Sequence, residues 1–213
     1  MNKNIVELCK KYAEEFFKGE ASGHDYFHTL RVFNNASLLV SKSDGANKEI
    51  CELAALLHDV DDRKISPETT KNKDNARKFL KVNGASDEII ESICKIIGQI
   101  SFSEGIIPDT LEGKIVQDAD RLDAIGAIGI ARTFAYGGKH GREIYNPEIE
   151  PRKNLSKEEY CNVAAPTINH FYEKLLLLEN MMNTEEGKRI ARQRTVFMQE
   201  FLDEFFAEWD GKK

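Results

Sequence analysis

The chain has 213 residues, 41% of them hydrophobic, which is enough apolar material for one large core or two small ones. Its net charge of −6 and sequence pI of about 5.5 argue against general binding to nucleic acids or to anionic membrane surfaces. The amino terminus lacks the apolar run of a signal peptide, and no apolar stretch approaches the ~20 residues of a membrane span. We therefore expect a soluble cytoplasmic protein.

Nearly the whole chain places apolar residues at helical spacing, and no segment shows the alternation of a strand. Helix starts are marked by Ser66-Pro67, by Ser86 and by a capping box at residues 156–159, and a break is marked by Gly137-Gly138. The predicted helices span residues 5–17, 25–40, 48–60, 66–82, 86–97, 111–136, 156–182 and 184–208. The pattern predicts one all-α domain over residues 1–213, with its motifs at about 22–140 and the C-terminal helices 156–208 in the same domain.

The four cysteines lie far apart in helix-like stretches and form no Cys-x-x-Cys pair. They are Cys9, Cys51, Cys94 and Cys161. This spacing favours buried, reduced thiols over disulfides or a zinc–cysteine site.

Residues 53–64 change abruptly from an apolar helix to ionisable side chains. His58 and Asp59 are adjacent at this point, and burying both without partners would cost several kcal/mol. A metal ion that both side chains reach would explain the pair. Because their Cβ directions differ by about 100° on a helix, the remaining ligands must come from elsewhere. The two candidates are His28 and Asp120.

This ordered set resembles the HD-domain metal-dependent phosphohydrolases, and more closely the stand-alone bacterial HD hydrolases. Shared motifs are Gly-His-Asp-x-x-His-x-x-Arg-Val at residues 23–32, Asp-Ala-Asp-Arg-Leu-Asp-Ala-Ile-Gly-Ala at 118–127, Phe-Ala-Tyr-Gly-Gly-Lys at 134–139 and His-Phe-Tyr-x-Lys-Leu at 170–175. The likeness runs from about residue 22 to residue 206. It implies a single helical HD domain with a metal site between helices.

The resemblance also implies a set of metal ligands, namely His28, His58, Asp59 and Asp120. The family's ligand is the aspartate directly before Arg-Leu, which is Asp120, and Asp118 is the alternative. Two imidazoles and two carboxylates suit one Mn²⁺, Fe²⁺, Co²⁺ or Ni²⁺ ion, with Mg²⁺ and Zn²⁺ as alternatives. We expect Asp123, one turn further on, to support a ligand or to pair with Arg121.

Asp62 and His24 are the predicted catalytic residues. Asp62 lies four residues after His58, on the same face if the helix continues, at the position where nucleotide-hydrolysing relatives have an acidic residue near the nucleophile. His24, one helical turn before His28, is expected to contact substrate or water, unless the His24-Asp25 pair only caps a helix. His170, in the last shared motif, is expected to be a buried hydrogen-bonding residue.

Cationic side chains near the motifs are predicted to bind the phosphoryl oxygens. Two follow the His-Asp pair, one follows Asp120, and three lie in a glycine-rich segment whose backbone could approach phosphate closely. They are Arg63, Lys64, Arg121, Lys139, His140 and Arg142.

The resemblance implies a divalent-metal-dependent phosphohydrolase acting on a nucleotide or a related phosphoester or phosphoanhydride. Cleavage of a nucleoside triphosphate to monophosphate and pyrophosphate is favoured, with a 5'-nucleotidase-like reaction next. Related guanosine-tetraphosphate hydrolases have Glu-Asp where this chain has Asp62-Arg63, and the Gly-Tyr-Pro motif of cyclic-dinucleotide phosphodiesterases is missing. The alternatives are a metal-binding nucleotide sensor without turnover and a helical scaffold with paired polar residues. The sequence does not determine the oligomeric state.

Overall fold

A computed structural model describes residues 2–20, 23–100, 105–152 and 165–213 of the chain. Within these ranges the regular secondary structure is helical and no strand is present, which confirms the all-α prediction. The helices are α1 Ile5–Phe16, α2 Tyr26–Val40, α3 Lys48–Leu57, α4 Asp74–Val82, α5 Asp87–Gln99, α6 Leu111–Asp123, α7 Gly126–Lys139, α8 Asn169–Glu173, a 3₁₀ helix Leu175–Met181 and α9 Glu185–Trp209. None of these described helices is long and apolar enough to cross a membrane.

The chain forms two compact units, Met1–Asp120 and Arg121–Lys213. In the first unit α3 is central, because α1, α2 and α5 all pack against it. Every residue of α3 from Cys51 to Leu57 is buried, so this helix has no solvent-facing stripe over its last two turns. In the second unit, aromatic side chains of α7, α8 and α9 pack together. The organisation of residues 1–213 as one domain stays a prediction.

Helix α3 ends at Leu57, three residues before the predicted end. The following turns are closed by hydrogen bonds from Val60 N–H to the Leu57 carbonyl (3.3 Å) and from Asp62 N–H to the Asp59 carbonyl (3.0 Å). The Val60 carbonyl accepts the Asn75 side-chain amide at 2.9 Å. His58 and Asp59 therefore lie in the turns after a buried helix, and the prediction that Asp62 shares a helix face with His58 is wrong.

Helix α4 begins at Asp74, so the helix start predicted at Ser66-Pro67 is also wrong. Lys73 has φ of 58°, in the left-handed region, which ends any helical run from the preceding turns. The start of α4 is stabilised by a distant residue, since the N–H groups of Asn75 and Ala76 donate to the Asp61 carboxylate.

The helix predicted over residues 111–136 is two helices, α6 and α7. The chain turns at Ala124 and Ile125, and Gly126 has φ of 77°. A Cβ on Gly126 would also lie 3.0 Å from Cγ of Arg194, so both the backbone conformation and the close packing favour glycine.

The helix break predicted at Gly137-Gly138 is wrong, because α7 continues to Lys139. A Cβ on Gly137 would lie 2.3 Å from Oγ1 of Thr167. Glycine is needed at position 137 because Thr167 packs directly against the helix backbone, and the residue therefore marks a close contact rather than a helix end.

The predicted helix over residues 156–182 is interrupted where the structure describes it. The capping box at residues 156–159 lies outside the described residues. Residues 165–182 contain the short α8 and a 3₁₀ helix, which meet at Lys174 with φ of −144°. Helix α9 begins as predicted, with Thr184 Oγ1 accepting the Gly187 N–H at 3.0 Å.

The prediction of buried, reduced cysteines is confirmed for Cys9, Cys51 and Cys94, while Cys161 lies outside the described residues. Burial raises the pKa of Cys51 to about 12 and that of Cys94 to about 11. These thiols are therefore protonated at neutral pH and poor nucleophiles.

Because of His170, we expect the free energy of unfolding to decrease measurably in acid. Burial of the ring, together with the charges of Lys174 and Arg142, lowers the pKa of His170 to about 3, although Glu173 opposes the shift. An unfolded histidine titrates near pH 6.5, so between pH 6.5 and 3 the unfolded chain binds a proton that folded His170 does not. The free energy of unfolding should therefore fall with decreasing pH, by up to about 1.4 kcal/mol per pH unit from this group.

Urea unfolding from pH 7 to pH 4 tests this expectation. His170→Asn should flatten the pH dependence relative to the wild type, and His140→Asn, at an exposed histidine, should not. Equal slopes for wild type and His170→Asn would contradict the assignment.

Candidate metal centre

Three elements of the first unit carry the predicted ligands. His28 is in the first turn of α2, where the Asp25 side chain caps the helix by accepting the His28 N–H at 2.7 Å. His58 and Asp59 follow the buried α3, and Asp120 lies in α6. The capping role expected as the alternative for the His24-Asp25 pair therefore applies to Asp25.

The side chains of these four residues meet in one cluster. His28 Nε2 lies 3.2 Å from His58 Nε2, 3.4 Å from Asp59 Oδ2 and 3.6 Å from Asp120 Oδ1. His58 Nε2 lies 3.2 Å from Asp59 Oδ2 and 4.0 Å from Asp120 Oδ1. Metal–ligand bonds of about 2.1 Å put adjacent ligand atoms about 3 Å apart and opposite ones about 4 Å apart. The five observed distances lie in the range that ligands of a single ion require.

The hydrogen bond of His58 Nδ1 sets up the ring for metal binding. Nδ1 lies 2.7 Å from the Ala55 carbonyl, which can only accept, so Nδ1 carries the hydrogen. In the neutral ring, Nε2 then presents its lone pair to His28 and Asp59. Such a bond from the far nitrogen to a backbone carbonyl is the usual support of a metal-ligating histidine.

The pKa values of the buried residues His58 and Asp59 indicate that the cluster favours a positive charge. Burial alone lowers the pKa of His58, but the Asp59 carboxylate outweighs it and raises this pKa to about 9. Burial alone raises the pKa of Asp59, but His58 and hydrogen bonds with His24 and His28 hold it well below its usual range. Without a metal, the cluster therefore keeps a proton among its acceptors, and a divalent ion would replace that proton.

The cluster is enclosed on one side and open on the other. The side chains of His28, His58 and Asp59 are 2%, 4% and 8% exposed. Asp120 is 30% exposed and His24 is 25% exposed, so the cluster is open to solvent at these two residues.

His24 contacts the cluster through Asp59. Its Nδ1 lies 2.8 Å from Asp59 Oδ2, and its ring meets the His28 ring edge to face. His24, His28 and Asp59 form a second group that could hold a metal, overlapping the group of His28, His58 and Asp120. The structure therefore places His24 at the cluster, and its contact with substrate or water stays a prediction.

The position of Asp120 favours it over Asp118 as the fourth ligand. Asp120 belongs to a possible metal group with His28 and His58, whereas Asp118 is fully buried and belongs to neither group found in the described residues. The two aspartates face different sides of α6, as expected for positions about 200° apart on a helix.

Asp62 and the cations after it lie in the turns that follow the cluster. Asp62 is half-buried, and its Oδ1 accepts the Lys64 N–H at 2.8 Å. The side chains of Arg63 and Lys64 are exposed.

Arg121 and Asp123, both in the second unit, are buried and engaged within the protein. Arg121 donates a hydrogen bond to the Met181 carbonyl. Asp123 forms an ion pair with Arg132, a partner that the sequence analysis did not identify.

Two of the three predicted phosphate-binding residues near the end of α7 contact Tyr136. The His140 ring stacks on Tyr136 with centroids 3.9 Å apart, and the Arg142 guanidinium lies 5.2 Å from the same ring. Lys139 and His140 are exposed. Their role in binding substrate stays a prediction.

Asp61 and Asn75 support the turn after the cluster, a role that their sequence positions did not predict. Asp61 is fully buried and accepts two N–H groups of α4, and Asn75 holds the Val60 carbonyl. The available signal was a second carboxylate beside Asp62, but nothing local distinguished the buried aspartate from the partly exposed one.

The fold and the cluster together define a helical protein with a centre of two histidines and two carboxylates. Residues 25–125 match the HD domain family. The Bacillus subtilis protein YpgQ is 35% identical over 201 residues, which cover 92% of this chain and 90% of YpgQ.

Solved structures of similar proteins match nearly the full length of this chain. A Lactobacillus plantarum structure has a TM-score of 0.85 at 38% identity, and an HD-superfamily hydrolase from Bacillus thuringiensis has 0.78 at 38%, each covering 99% of both chains. The structure of YpgQ in complex with ADP has a TM-score of 0.74 at 31% identity, covering 95% of this chain and 97% of YpgQ. The chain belongs to the HD-domain phosphohydrolase superfamily.

Proposed function

We propose that the protein is a divalent-metal-dependent phosphohydrolase that acts on a nucleotide. The observation that carries this proposal is the convergence of His28 Nε2, His58 Nε2, Asp59 Oδ2 and Asp120 Oδ1 at the distances that one ion requires. Nitrogen and oxygen donors in this mixture suit Mn²⁺, Fe²⁺, Co²⁺ or Ni²⁺, with Mg²⁺ and Zn²⁺ as alternatives. When bound, the ion supplies positive charge that stabilises phosphoryl oxygens and makes water a better nucleophile at neutral pH.

The protein's own residues have distinct roles in this proposal. Asp62 accepts a proton from the attacking water or orients it, because its second carboxylate oxygen is not the one that binds Lys64 N–H. His24 holds Asp59 through Nδ1 and faces the open side of the cluster, where it contacts substrate. Arg63 and Lys64 are exposed directly after Asp62 and neutralise phosphoryl oxygens.

The choice of a nucleotide rests on the relatives. YpgQ has been crystallised with ADP, and its structure covers almost all of this chain. A phosphoanhydride of this kind is also the substrate class that the resemblance to stand-alone bacterial HD hydrolases implies. We favour a nucleoside triphosphate cleaved to monophosphate and pyrophosphate, with removal of phosphate from a nucleoside monophosphate as the second candidate.

A metal-by-substrate turnover panel tests the proposal. Chelator-stripped protein would be supplied with Mn²⁺, Co²⁺, Ni²⁺, Mg²⁺ or Zn²⁺ and with nucleoside mono-, di- and triphosphates, and phosphate would be resolved from pyrophosphate. We expect metal-dependent release of pyrophosphate from triphosphates, abolished in His58→Ala. Bound metal and bound nucleotide with no product under any condition would instead identify a nucleotide sensor.

A further inference from the structure

Asp61 is a fully buried carboxylate beside the cluster that the proposed chemistry does not use. Its two oxygens each accept one backbone hydrogen bond from the start of α4. Oδ1 lies 3.1 Å from the Asn75 N–H and Oδ2 lies 3.0 Å from the Ala76 N–H. The two backbone N–H donors and the positive end of the helix dipole are the environment that suits a carboxylate at a helix start.

The Asn75 side chain holds the same turn from the other direction. Its Nδ2 donates to the Val60 carbonyl at 2.9 Å and to Thr69 Oγ1 at 3.1 Å. Residues 60 and 61 are therefore fixed both through the backbone and through a side chain. Asp59 immediately precedes this fixed pair and Asp62 immediately follows it, so the same contacts restrict both residues.

Aspartate is chemically specific at position 61. Two N–H donors approach two separate oxygens, so an asparagine would present its NH₂ group to one of the donors and lose that bond. An alanine would leave the buried Ala76 N–H and the half-buried Asn75 N–H without these acceptors.

We propose that Asp61 and Asn75 form a clamp that positions Asp59 for metal binding and Asp62 for its role with water. Both are positioning residues, and the inference rests on the proposed metal site at Asp59. Because the clamp and the metal act on one short segment, each should stabilise the other. Metal binding should therefore reduce opening of the start of α4.

Titration of the chelator-stripped full chain with Mn²⁺ measures the first effect. We expect Asp61→Asn to weaken Mn²⁺ binding about tenfold, the low end of what supporting residues of a metal site typically contribute. Asp74→Asn removes an exposed carboxylate from the same end of α4 and should bind Mn²⁺ as the wild type does. A role of Asp61 in stability alone predicts a lower Tm with an unchanged Kd for Mn²⁺.

Amide hydrogen exchange measures the reciprocal effect. Adding Mn²⁺ should slow exchange at Asn75 and Ala76 in the wild type and much less in Asp61→Asn. If Asp61→Asn does not fold, Asn75→Ala replaces it, because that change removes the bond to Val60 and leaves the Asp61 bonds in place.

The outcomes separate the clamp from the metal site. A wild-type protein that binds neither Mn²⁺ nor any other ion of the turnover panel would overturn the proposed metal site. A wild type that binds Mn²⁺, with folded clamp variants that bind it equally well, would overturn the clamp alone.

Discussion

Asp59→Ala is expected to abolish tight binding of divalent metal and to lower turnover by at least about a thousandfold, the effect of losing several kcal/mol of electrostatic stabilisation. Of the two carboxylates, Asp59 lies nearer to both imidazole nitrogens, with Oδ2 at 3.4 Å from His28 Nε2 and 3.2 Å from His58 Nε2. Without this carboxylate, the two imidazole nitrogens keep only Asp120 as an acidic partner, and its carboxylate lies further from both. Metal content after dialysis and turnover with nucleoside triphosphate measure the two effects.

The same variant has a readout that does not depend on metal. Asp59 is the main cause of the raised pKa of His58, so Asp59→Ala should lower that pKa from about 9 in metal-free protein. Far-UV circular dichroism should show nearly unchanged helix content, because the residue lies after the end of α3. Asp44→Ala, at an exposed aspartate, is the matched control and should retain metal and activity. Wild-type activity in Asp59→Ala would reject the metal assignment.

Asp62→Asn is expected to lower kcat by about 10²–10⁴-fold while the Kd for Mn²⁺ stays within about twofold of the wild type. Asparagine keeps an oxygen that can accept the Lys64 N–H, so the local turn is retained and only the charge is removed. The comparison therefore isolates proton transfer or water orientation from positioning of the chain. The Asp44→Ala control applies here as well.

Two results would contradict the role of Asp62. Loss of Mn²⁺ binding in Asp62→Asn would make this residue part of the metal site rather than a base. Unchanged kcat with intact metal binding would remove Asp62 from the mechanism, and His24, with its ring on the open side of the cluster, would become the leading candidate.

Local signals predicted the fold well wherever the cause of an element is local. Ser86 caps α5 and Thr184 caps α9, each by accepting an N–H three residues later, and both starts agree with the structure. The start of α4 could not be predicted in this way, because its cap is Asp61, which is distant in sequence. The sequence pattern at Ser66-Pro67 predicts a helix start there, but the helix begins at Asp74, where Asp61 accepts the first N–H groups in the folded chain.

The roles of two glycines also could not be predicted from local sequence. Gly126 and Gly137 both interrupt an apolar pattern, but only Gly126 lies at a helix boundary. Gly137 is required by the close approach of Thr167, a residue 30 positions later in the chain. Sequence spacing alone cannot distinguish a glycine that ends a helix from one that allows close packing.

For the candidate site, the order of motifs predicted the members of the cluster but not its geometry. His28, His58, Asp59 and Asp120 come together although 92 residues separate the first from the last. Their mutual distances depend on the packing of α2 and α3 and on where α3 ends, which helical periodicity placed three residues too late. The functions of neighbouring acidic residues were harder to predict. Asp61 and Asp62 are adjacent in sequence, yet Asp61 is buried against α4 and Asp62 lies partly in solvent.

The most direct test of the metal centre is anomalous diffraction from crystals soaked in Mn²⁺. We predict one strong peak about 2.2 Å from His28 Nε2, His58 Nε2, Asp59 Oδ2 and Asp120 Oδ1, within the range of bond lengths to such ligands. A peak bound elsewhere, or no peak while these four side chains keep the distances described above, would contradict the account.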